Sequence, residues 1–149
     1  MNTFRGSKSD KYLPITEIAK LVRKELKSLF PKWKFSVRTR KFAGGRALDV
    51  SFQAGPRHLI REDGSDTSKY AIRCGNAQFN GSPRRWQDDR WYCNGYPITA
   101  ECAAMIKRIA QVINQWNDWD IDIMTDYHRV SYYTHIDMGQ WNKPFEVKQ

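Results

Sequence analysis

The spacing of apolar residues predicts a helix near the N-terminus, over the segment LPITEIAKLVRKELKSLFP. Four apolar positions recur every three or four residues, which is the spacing of one buried helical face. These positions are Ile18, Val22, Leu26 and Leu29. Thr16 is placed to cap the first turn, and Pro31 predicts where the helix ends. The basic residues of the segment fall largely off this face, so we expect them to be exposed.

The next segment, KWKFSVRTRKF, changes to a period of two, which is typical of a strand with one buried and one solvated face. Its apolar positions are Trp33, Phe35 and Val37. Gly44-Gly45 predicts a turn, and a second alternating run, ALDVSF, ends before Gly55-Pro56. We therefore predict an antiparallel hairpin. Its solvated side carries Lys34 and Arg38, with Arg40 as a further candidate.

The second half of the chain contains one more helix pattern and one more strand pattern. In PITAECAAMIKRIAQVINQWN, Thr99 is placed as the N-cap and the apolar positions follow helical spacing. Those positions are Cys102, Ile106, Ile109, Ile113 and Trp116. The tail alternates apolar and polar residues from Val130 to Met138, which predicts one long strand. Between the hairpin and the helix, HLIRE indicates a helical turn, YAIRC a short strand, and the rest an irregular segment.

The order of these elements, α-β-β-insertion-α-β, predicts an α+β fold. Two helices pack on one face of a small, mainly antiparallel β-sheet, with an irregular insertion between the two halves. A chain of 149 residues suits one domain. We assign residues 1–12 to a flexible arm, residues 13–149 to a single α+β domain and residues 57–97 to a variable insertion within it.

Positive charge is concentrated in the first part of the chain. The formal net charge is +9, and residues 1–61 hold 15 basic and four acidic residues. The segment from Lys20 to Arg46 has ten basic residues and one acidic residue. Such a positive face usually meets phosphate or an acidic protein. The alternative is a solubilised surface helix and hairpin without a partner.

The length of the apolar runs and the spacing of the cysteines indicate in which cellular compartment the protein is expected. The runs are too short for a transmembrane helix, and the first twelve residues lack the apolar core of a secretory signal. Cys74, Cys93 and Cys102 form no CxxC pair, which argues against a disulfide framework. We expect a cytoplasmic protein with no membrane partner.

Histidines and cysteines match no metal motif, and no nucleophile, phosphate-loop or dinucleotide motif is present. His58, His128 and His135 are scattered. Because His128 and His135 are seven residues apart in the predicted strand, they lie on opposite faces. We therefore expect no metal site and no cofactor.

An acidic run between the second helix and the last strand is the strongest candidate for catalysis. It consists of Asp118, Asp120, Asp122 and Asp126. Three of these carboxylates share one face of a possible short strand, where they are candidate ligands of a divalent ion in a nuclease. The commoner alternative is a half-buried edge strand whose charges discourage further pairing.

Binding to nucleic acid or to a nucleic-acid-associated partner has more support. Arginines interleaved with aromatic residues suit phosphate contacts and base stacking, and they also anchor protein inhibitors. The candidates in the first helix and hairpin are Lys20, Lys24, Lys27, Lys34, Arg38, Arg40, Lys41 and Arg46. The candidates in the insertion are Arg84, Arg85, Trp86, Arg90 and Trp91. No motif for reading a base sequence is present.

The first helix and hairpin resemble a known family. A helix ending in Phe30-Pro31, the run Lys34 to Arg38, the Gly44-Gly45 turn and the strand from Asp49 to Phe52 are similar to the large polyvalent protein-associated domain numbered twenty-nine. The C-terminal GQWNKPFEV is similar to the closing pattern of that family. The resemblance covers residues 13–56 and 130–147, whereas residues 57–97 depart from it.

The resemblance implies an accessory protein of a phage or plasmid, and it implies no catalytic residues. We expect a non-enzymatic counter-defence inhibitor of the anti-CRISPR or antirestriction kind. It would act in the cytoplasm of the host bacterial cell and bind a host defence nucleoprotein complex through its basic face, without a small-molecule substrate. The first alternative is direct DNA or RNA binding without sequence specificity. The second is a metal-dependent nuclease that uses the run from Asp118 to Asp126.

Overall fold

The computed structural model describes residues 2–60, 72–75, 84–85, 90–93, 96–122, 124–140 and 143–148. In chain order, the elements are β1 (Asn2–Arg5), α1 (Ile15–Leu29), β2 (Lys34–Phe42), β3 (Gly45–Gly55), β4 (Ile72–Gly75), β5 (Arg84–Arg85), β6 (Trp91–Cys93), β7 (Tyr96–Ile98), α2 (Ala100–Ile113), β8 (Asp118–Asp122), β9 (Tyr127–Val130), β10 (Tyr133–Met138) and β11 (Glu146–Val147). Helices and mainly antiparallel strands in this order confirm the α+β fold.

Helix α1 forms where the apolar period predicts it. Its buried side chains are Ile15, Ile18, Ala19, Val22 and Leu26. Two details of the prediction are wrong. Thr16 lies inside the helix, because Pro14 occupies the N-cap position and no side chain caps the first turn. Leu29 is 39% exposed, because it is the last helical residue and lies beyond the buried face.

Helix α2 begins at the predicted cap. The hydroxyl of Thr99 accepts a hydrogen bond from the backbone N–H of Cys102 at 3.0 Å, which satisfies one of the free N–H groups of the first turn. Its predicted apolar face is buried, and so is Trp116 beyond its end. Cys93 and Cys102 are both buried in the core.

A five-stranded sheet forms the centre of the fold, and β3 has partners on both of its edges. β2 pairs antiparallel with β3, which confirms the predicted hairpin and its end at Gly55. β10 and β11 pair parallel with successive parts of β3, and β4 lies beside β10, where a short strand was predicted. Among the described residues, β2 pairs with no other strand, so it is an edge strand.

The hydrophobic core lies between this sheet and the two helices. β3 contributes Leu48, Val50 and Phe52 to it, and β10 contributes Ile136 and Met138. Within the part of the chain that the structure describes, neither helix has the length and apolar character needed to cross a membrane.

Two three-stranded sheets accompany the central one. In the first, β8 lies between β1 and β9, so the segment predicted to be a flexible arm carries a paired strand. Gly6 continues this packing, because its N–H donates to the carbonyl of Asn117 at 2.8 Å and a Cβ there would collide with the carbonyl of Asn114. The second sheet, β5-β6-β7, lies in the region predicted to be irregular. Ile60 forms a bridge with Ile98 where a helical turn was predicted, and residues 61–71 lie outside the described residues.

The predicted long C-terminal strand is divided into β9 and β10, which belong to different sheets. Asn117 explains the division. Its side-chain amide donates to the carbonyl of Tyr132 at 2.9 Å, and its side-chain oxygen accepts from the N–H of Tyr132 at 3.2 Å. Because this side chain takes both backbone groups of Tyr132, the residue leaves the strand ladder while its own side chain stays buried. Burial alternates across the break, so alternation alone predicts one strand.

Candidate partner-binding surface

Helix α1 carries a row of cations on its solvent-facing side. They are Lys20, Arg23, Lys24 and Lys27, and we call them the α1 stripe. Their spacing of i, i+3, i+4 and i+7 places them on one helical face, and all four are exposed, as predicted. Among the described residues, none of the four forms a salt bridge with a carboxylate. Like charges at this spacing destabilise a helix, so the stripe opposes folding to a small extent.

A groove of about 320 Å³ lies between α1 and β2, and we call it the α1–β2 groove. It is lined by Arg23, Leu26, Lys27, Pro31, Trp33, Lys34, Phe35 and Val37. Arg23 holds the two walls together, because its Nη2 donates to the carbonyl oxygen of Val37 at 2.8 Å. That acceptor is neutral, so the charge of Arg23 stays uncompensated. The groove therefore combines a mainly apolar floor with three cations.

Lys34 also lines the groove, at the end of the hairpin. Strict alternation predicts Lys34 on the same side of β2 as Arg38. The register between β2 and β3 shifts between Lys34 and Phe35, which places Lys34 opposite Ala54. Its side chain lines the groove beside Lys27 of α1. Cations from α1 and β2 thus meet at one groove.

Arg38 lies on the solvated side of β2, as predicted. Its Nη2 donates to Oε1 of Gln140 at 3.1 Å, and Nε2 of Gln140 donates to the hydroxyl of Ser36 at 3.1 Å. This chain of neutral acceptors orients the guanidinium without cancelling its charge. Lys41 is exposed, and it has no ion pair with a residue that the structure describes.

Arg40 is bound within the protein, in a network on the solvated side of the central sheet. Nε of Arg40 donates to Oδ2 of Asp49 at 2.6 Å, and Oδ1 of Asp49 lies 2.8 Å from Nδ1 of His135. Burial acts to raise the pKa of Asp49, but the hydrogen bonds and charges of His135 and Arg40 outweigh it and lower the pKa to about 2. This carboxylate is therefore ionised at neutral pH and neutralises Arg40.

The contact between Asp49 and His135 was missed by the sequence analysis. The two residues lie 86 positions apart, and only the parallel pairing of β3 with β10 makes them neighbours. An aspartate beside a histidine occurs in nucleophilic enzymes, where the histidine activates a hydroxyl or a thiol. Among the described residues, no serine, threonine or cysteine side chain forms a hydrogen bond with His135. The observed contacts are those of a structural ion-pair network.

Arg46, a predicted partner-binding residue, also forms hydrogen bonds within the protein. Its Nη1 donates to the carbonyl of Leu13 at 2.6 Å, and its Nε donates to the carbonyl of Ser131 at 3.1 Å. A third bond joins Nη2 to the hydroxyl of Ser131 at 3.2 Å. The half-buried guanidinium thus ties the start of α1 and the chain before β10 to the hairpin.

The structure describes four of the five candidate residues of the insertion. Arg84 and Arg85 form β5, opposite Tyr92 and Trp91 of β6. Arg85 and Arg90 are exposed. Trp91 is half-buried against the core, and the ammonium of Lys107 lies 4.2 Å from the centre of its ring, so this ring is not fully open for stacking on a base. Trp86 lies outside the described residues.

Two of the four carboxylates of the acidic run are paired with arginines that the structure describes. Asp118, Asp120 and Asp122 share one face of β8, as predicted. Arg129 of β9 binds Asp118 at 2.9 Å and Asp120 at 2.7 Å, and Arg5 of β1 binds Asp120 at 3.0 Å. β8 is therefore the middle strand of its sheet, and the prediction of an edge strand is wrong. Within the described ranges, no group of three His, Cys, Asp or Glu side chains is arranged to hold a metal ion.

Comparison with known sequences places this surface within a family. No curated protein and no solved structure matches the chain. The family described as large polyvalent protein associated domain 29 matches residues 13–111. The match begins at residue 13, where the resemblance begins, but it runs through the segment 57–97 that was expected to depart from the family, and it ends before the C-terminal pattern. The chain therefore belongs to the large polyvalent protein associated domain 29 family, which associates it with phages and other mobile genetic elements.

Proposed function

We propose that this protein is a non-enzymatic accessory protein of a mobile element that inhibits a host defence nucleoprotein complex. It acts in the cytoplasm of the host bacterial cell and binds the complex through the α1 stripe and the α1–β2 groove. Family membership supports the mobile-element setting. The inhibitory role is the step that the proposal adds.

One observation carries the proposal: the cations of the α1 stripe have no carboxylate partner among the described residues. Arg5, Arg40 and Arg129 all have such partners, so the chain does supply carboxylates to other cations. A row of like charges lowers helix stability, and a polyanionic partner removes that cost on binding. The stripe therefore suits the surface of a complex that displays phosphate or acidic side chains.

The α1–β2 groove supports a protein component in that partner. Its floor includes Leu26, Phe35 and Val37, and phosphate alone makes no use of such a floor. Interfaces between proteins place an apolar anchor in a desolvated pocket and surround it with polar contacts. A groove with an apolar floor and a cationic rim fits an apolar side chain presented next to acidic residues.

The test is a comparison of two charge reversals in a host that carries an active defence system. Lys24→Glu with Lys27→Glu reverses the α1 stripe, and Arg108→Glu reverses an exposed cation on α2 as the matched control. With the wild-type protein expressed, plating of a restricted phage is expected to rise at least tenfold. The stripe variant should lose this effect and the control should keep it. Equal plating with and without the wild-type protein contradicts the inhibitory role.

A pull-down from nuclease-treated lysate separates the proposal from direct nucleic-acid binding. If the target is a nucleoprotein complex, the wild-type protein should still capture the protein component of that complex after nuclease treatment. The stripe variant should not capture it. If capture disappears completely after the treatment, the partner is DNA or RNA itself. In that case, the logarithm of the binding constant should fall with the logarithm of the salt concentration, with a slope of about −0.9 for each neutralised duplex phosphate.

A further inference from the structure

We propose that a second surface, distinct from the α1–β2 groove, binds one nucleotide unit, with its phosphate on cations and its base on aromatic rings. The site is a cleft of about 630 Å³ between residues 9–12, the tip of the β2–β3 hairpin and the strands β8 and β9. A volume of this size lies within the range of small-molecule sites. The inference rests on the cleft alone and does not depend on the proposed function.

The cleft carries an excess of positive charge. Lys11 and Lys41 line it, and neither forms an ion pair with a described residue. Arg46 also lines it and is held in place by the carbonyl of Leu13 and by Ser131. Three of its five N–H donors make these bonds to neutral acceptors, so its charge and two donors remain for a ligand. The cleft therefore presents a pre-oriented guanidinium and two ammonium groups.

The carboxylate of the cleft does not cancel this charge. Asp118 lines the wall, but Nη1 of Arg129, which also lines the cleft, lies 2.9 Å from its Oδ1. That pair is neutral as a unit. An anion that enters the cleft thus meets three uncompensated cations, which suits a phosphate group.

Exposed aromatic rings lie beside the cations. Tyr12 is 78% exposed and Phe42 is 45% exposed, and both line the cleft. The guanidinium of Arg46 lies 4.6 Å from the centre of the Tyr12 ring, so a cation and a ring face are already adjacent. Every nucleobase has a flat face that stacks on such rings and on guanidinium planes. A carboxylate ligand satisfies the cations but leaves these rings in water, which favours a nucleotide over an acidic peptide.

The experiment is calorimetric titration of the full chain with AMP, GMP, CMP and UMP, and separately with a ten-residue oligothymidylate. Adenosine, which lacks the phosphate of AMP, measures how much the phosphate contributes to binding. Its affinity should be at least tenfold weaker than that of AMP. Tyr12→Ala should weaken binding about tenfold through loss of base stacking, and Lys41→Ala should weaken it about tenfold through loss of a charge-assisted phosphate contact. Binding of mononucleotides identifies a free nucleotide as the source, and binding of the oligothymidylate alone identifies a strand.

Matched controls keep the test specific to the cleft. Tyr127→Ala removes an exposed tyrosine and Lys143→Ala an exposed lysine, both outside the cleft lining and the α1 stripe, and neither should change the affinity. Because Tyr12 and Lys41 are exposed, thermal melts of their variants should match the wild type, so a loss of binding does not reflect unfolding. Absence of binding to all five ligands overturns the inference. So does nucleotide binding that survives both cleft substitutions.

Discussion

The cations of the sheets and the cations of helix α1 differ in what surrounds them. Arg5 and Arg129 bracket Asp120 across three strands, and Arg40 binds Asp49 across the hairpin. The α1 stripe has no such partner among the described residues. The sequence alone does not show which of these cations are paired with carboxylates. Among the described residues, the three arginines are each paired with an aspartate of a neighbouring strand, and the α1 stripe has no such neighbour.

This comparison separates cations that hold the fold together from cations that are available to a partner. Cross-strand pairs fix the relative position of strands, although exposed pairs of this kind stabilise a protein only slightly. Within the α1 stripe, only Arg23 links two elements of the described structure, because it donates a hydrogen bond to the carbonyl of Val37. Substitutions in the two groups should therefore move different measurements, stability in one case and binding in the other.

The largest expected effect on stability is that of Arg46→Ala. The substitution leaves the carbonyls of Leu13 and Ser131 without their charged donor in a half-buried setting, and we expect a loss of about 2–3 kcal/mol in the free energy of unfolding. Arg38→Ala is the matched control, since Arg38 is exposed and should change stability by no more than about 0.5 kcal/mol. Urea unfolding measures both, and equal losses contradict an internal role for Arg46.

Asp49→Asn should have an intermediate effect that depends on pH. The pKa of Asp49 is about 2 in the folded protein, below its ordinary value of about 3.9 in an unfolded chain. The ionised carboxylate therefore stabilises the fold above about pH 4, and this stabilisation is lost as the pH falls toward about 2. We expect Asp49→Asn to cost about 1–2 kcal/mol at pH 7, because exposure of Arg40 weakens the pair.

Urea unfolding at pH 7 and at pH 2.5 tests this sign. The difference in stability between Asp49→Asn and the wild type should shrink at the lower pH. Glu146→Gln is the control, since Glu146 and Lys148 form a pair that is largely open to solvent and should contribute nothing measurable. A cost that stays constant between the two pH values indicates packing and not ionisation.

The smallest expected effect is a gain. Lys24→Gln removes the repulsion between Lys20 and Lys24, one helical turn apart, and should stabilise the protein by about 0.2–0.5 kcal/mol at low salt. Screening should abolish the gain at about 1 M salt, where the Debye length is about 3 Å. Arg108→Gln on α2 is the control. A loss of stability at low salt in Lys24→Gln indicates that the stripe is compensated.

Local periodicity predicts the elements that depend on neighbouring residues. The helices, the hairpin and the cap at Thr99 follow from spacings of two, three or four residues and appear as predicted. The sequence also predicts the exposure of the α1 stripe, because cations lie off the apolar face. These features need no knowledge of which strands meet.

Local spacings of apolar and polar residues do not predict contacts between segments that are distant in the sequence. Arg129 reaches Asp118 only because β9 pairs with β8, and Arg46 reaches Ser131 only because β10 lies beside β3. The division of the last strand depends on a single side chain, Asn117, whose partner lies 15 positions away. The internal hydrogen bonds of Arg46 were missed for this reason, since Leu13 and Ser131 come from other parts of the chain.

The parallel pairing of β3 with β10 also has a consequence for synthesis of the chain. The β2–β3 hairpin closes a short loop and can form early, whereas Asp49 and His135 lie 86 positions apart in the chain. At about 5–20 residues per second, a ribosome adds those positions in roughly 4–17 s. Throughout that time β3 presents an unpaired edge rich in apolar residues, and such an edge is a template for pairing with other chains. The longer the interval between the hairpin and the arrival of β10, the longer the nascent protein exposes an edge on which aggregation can begin.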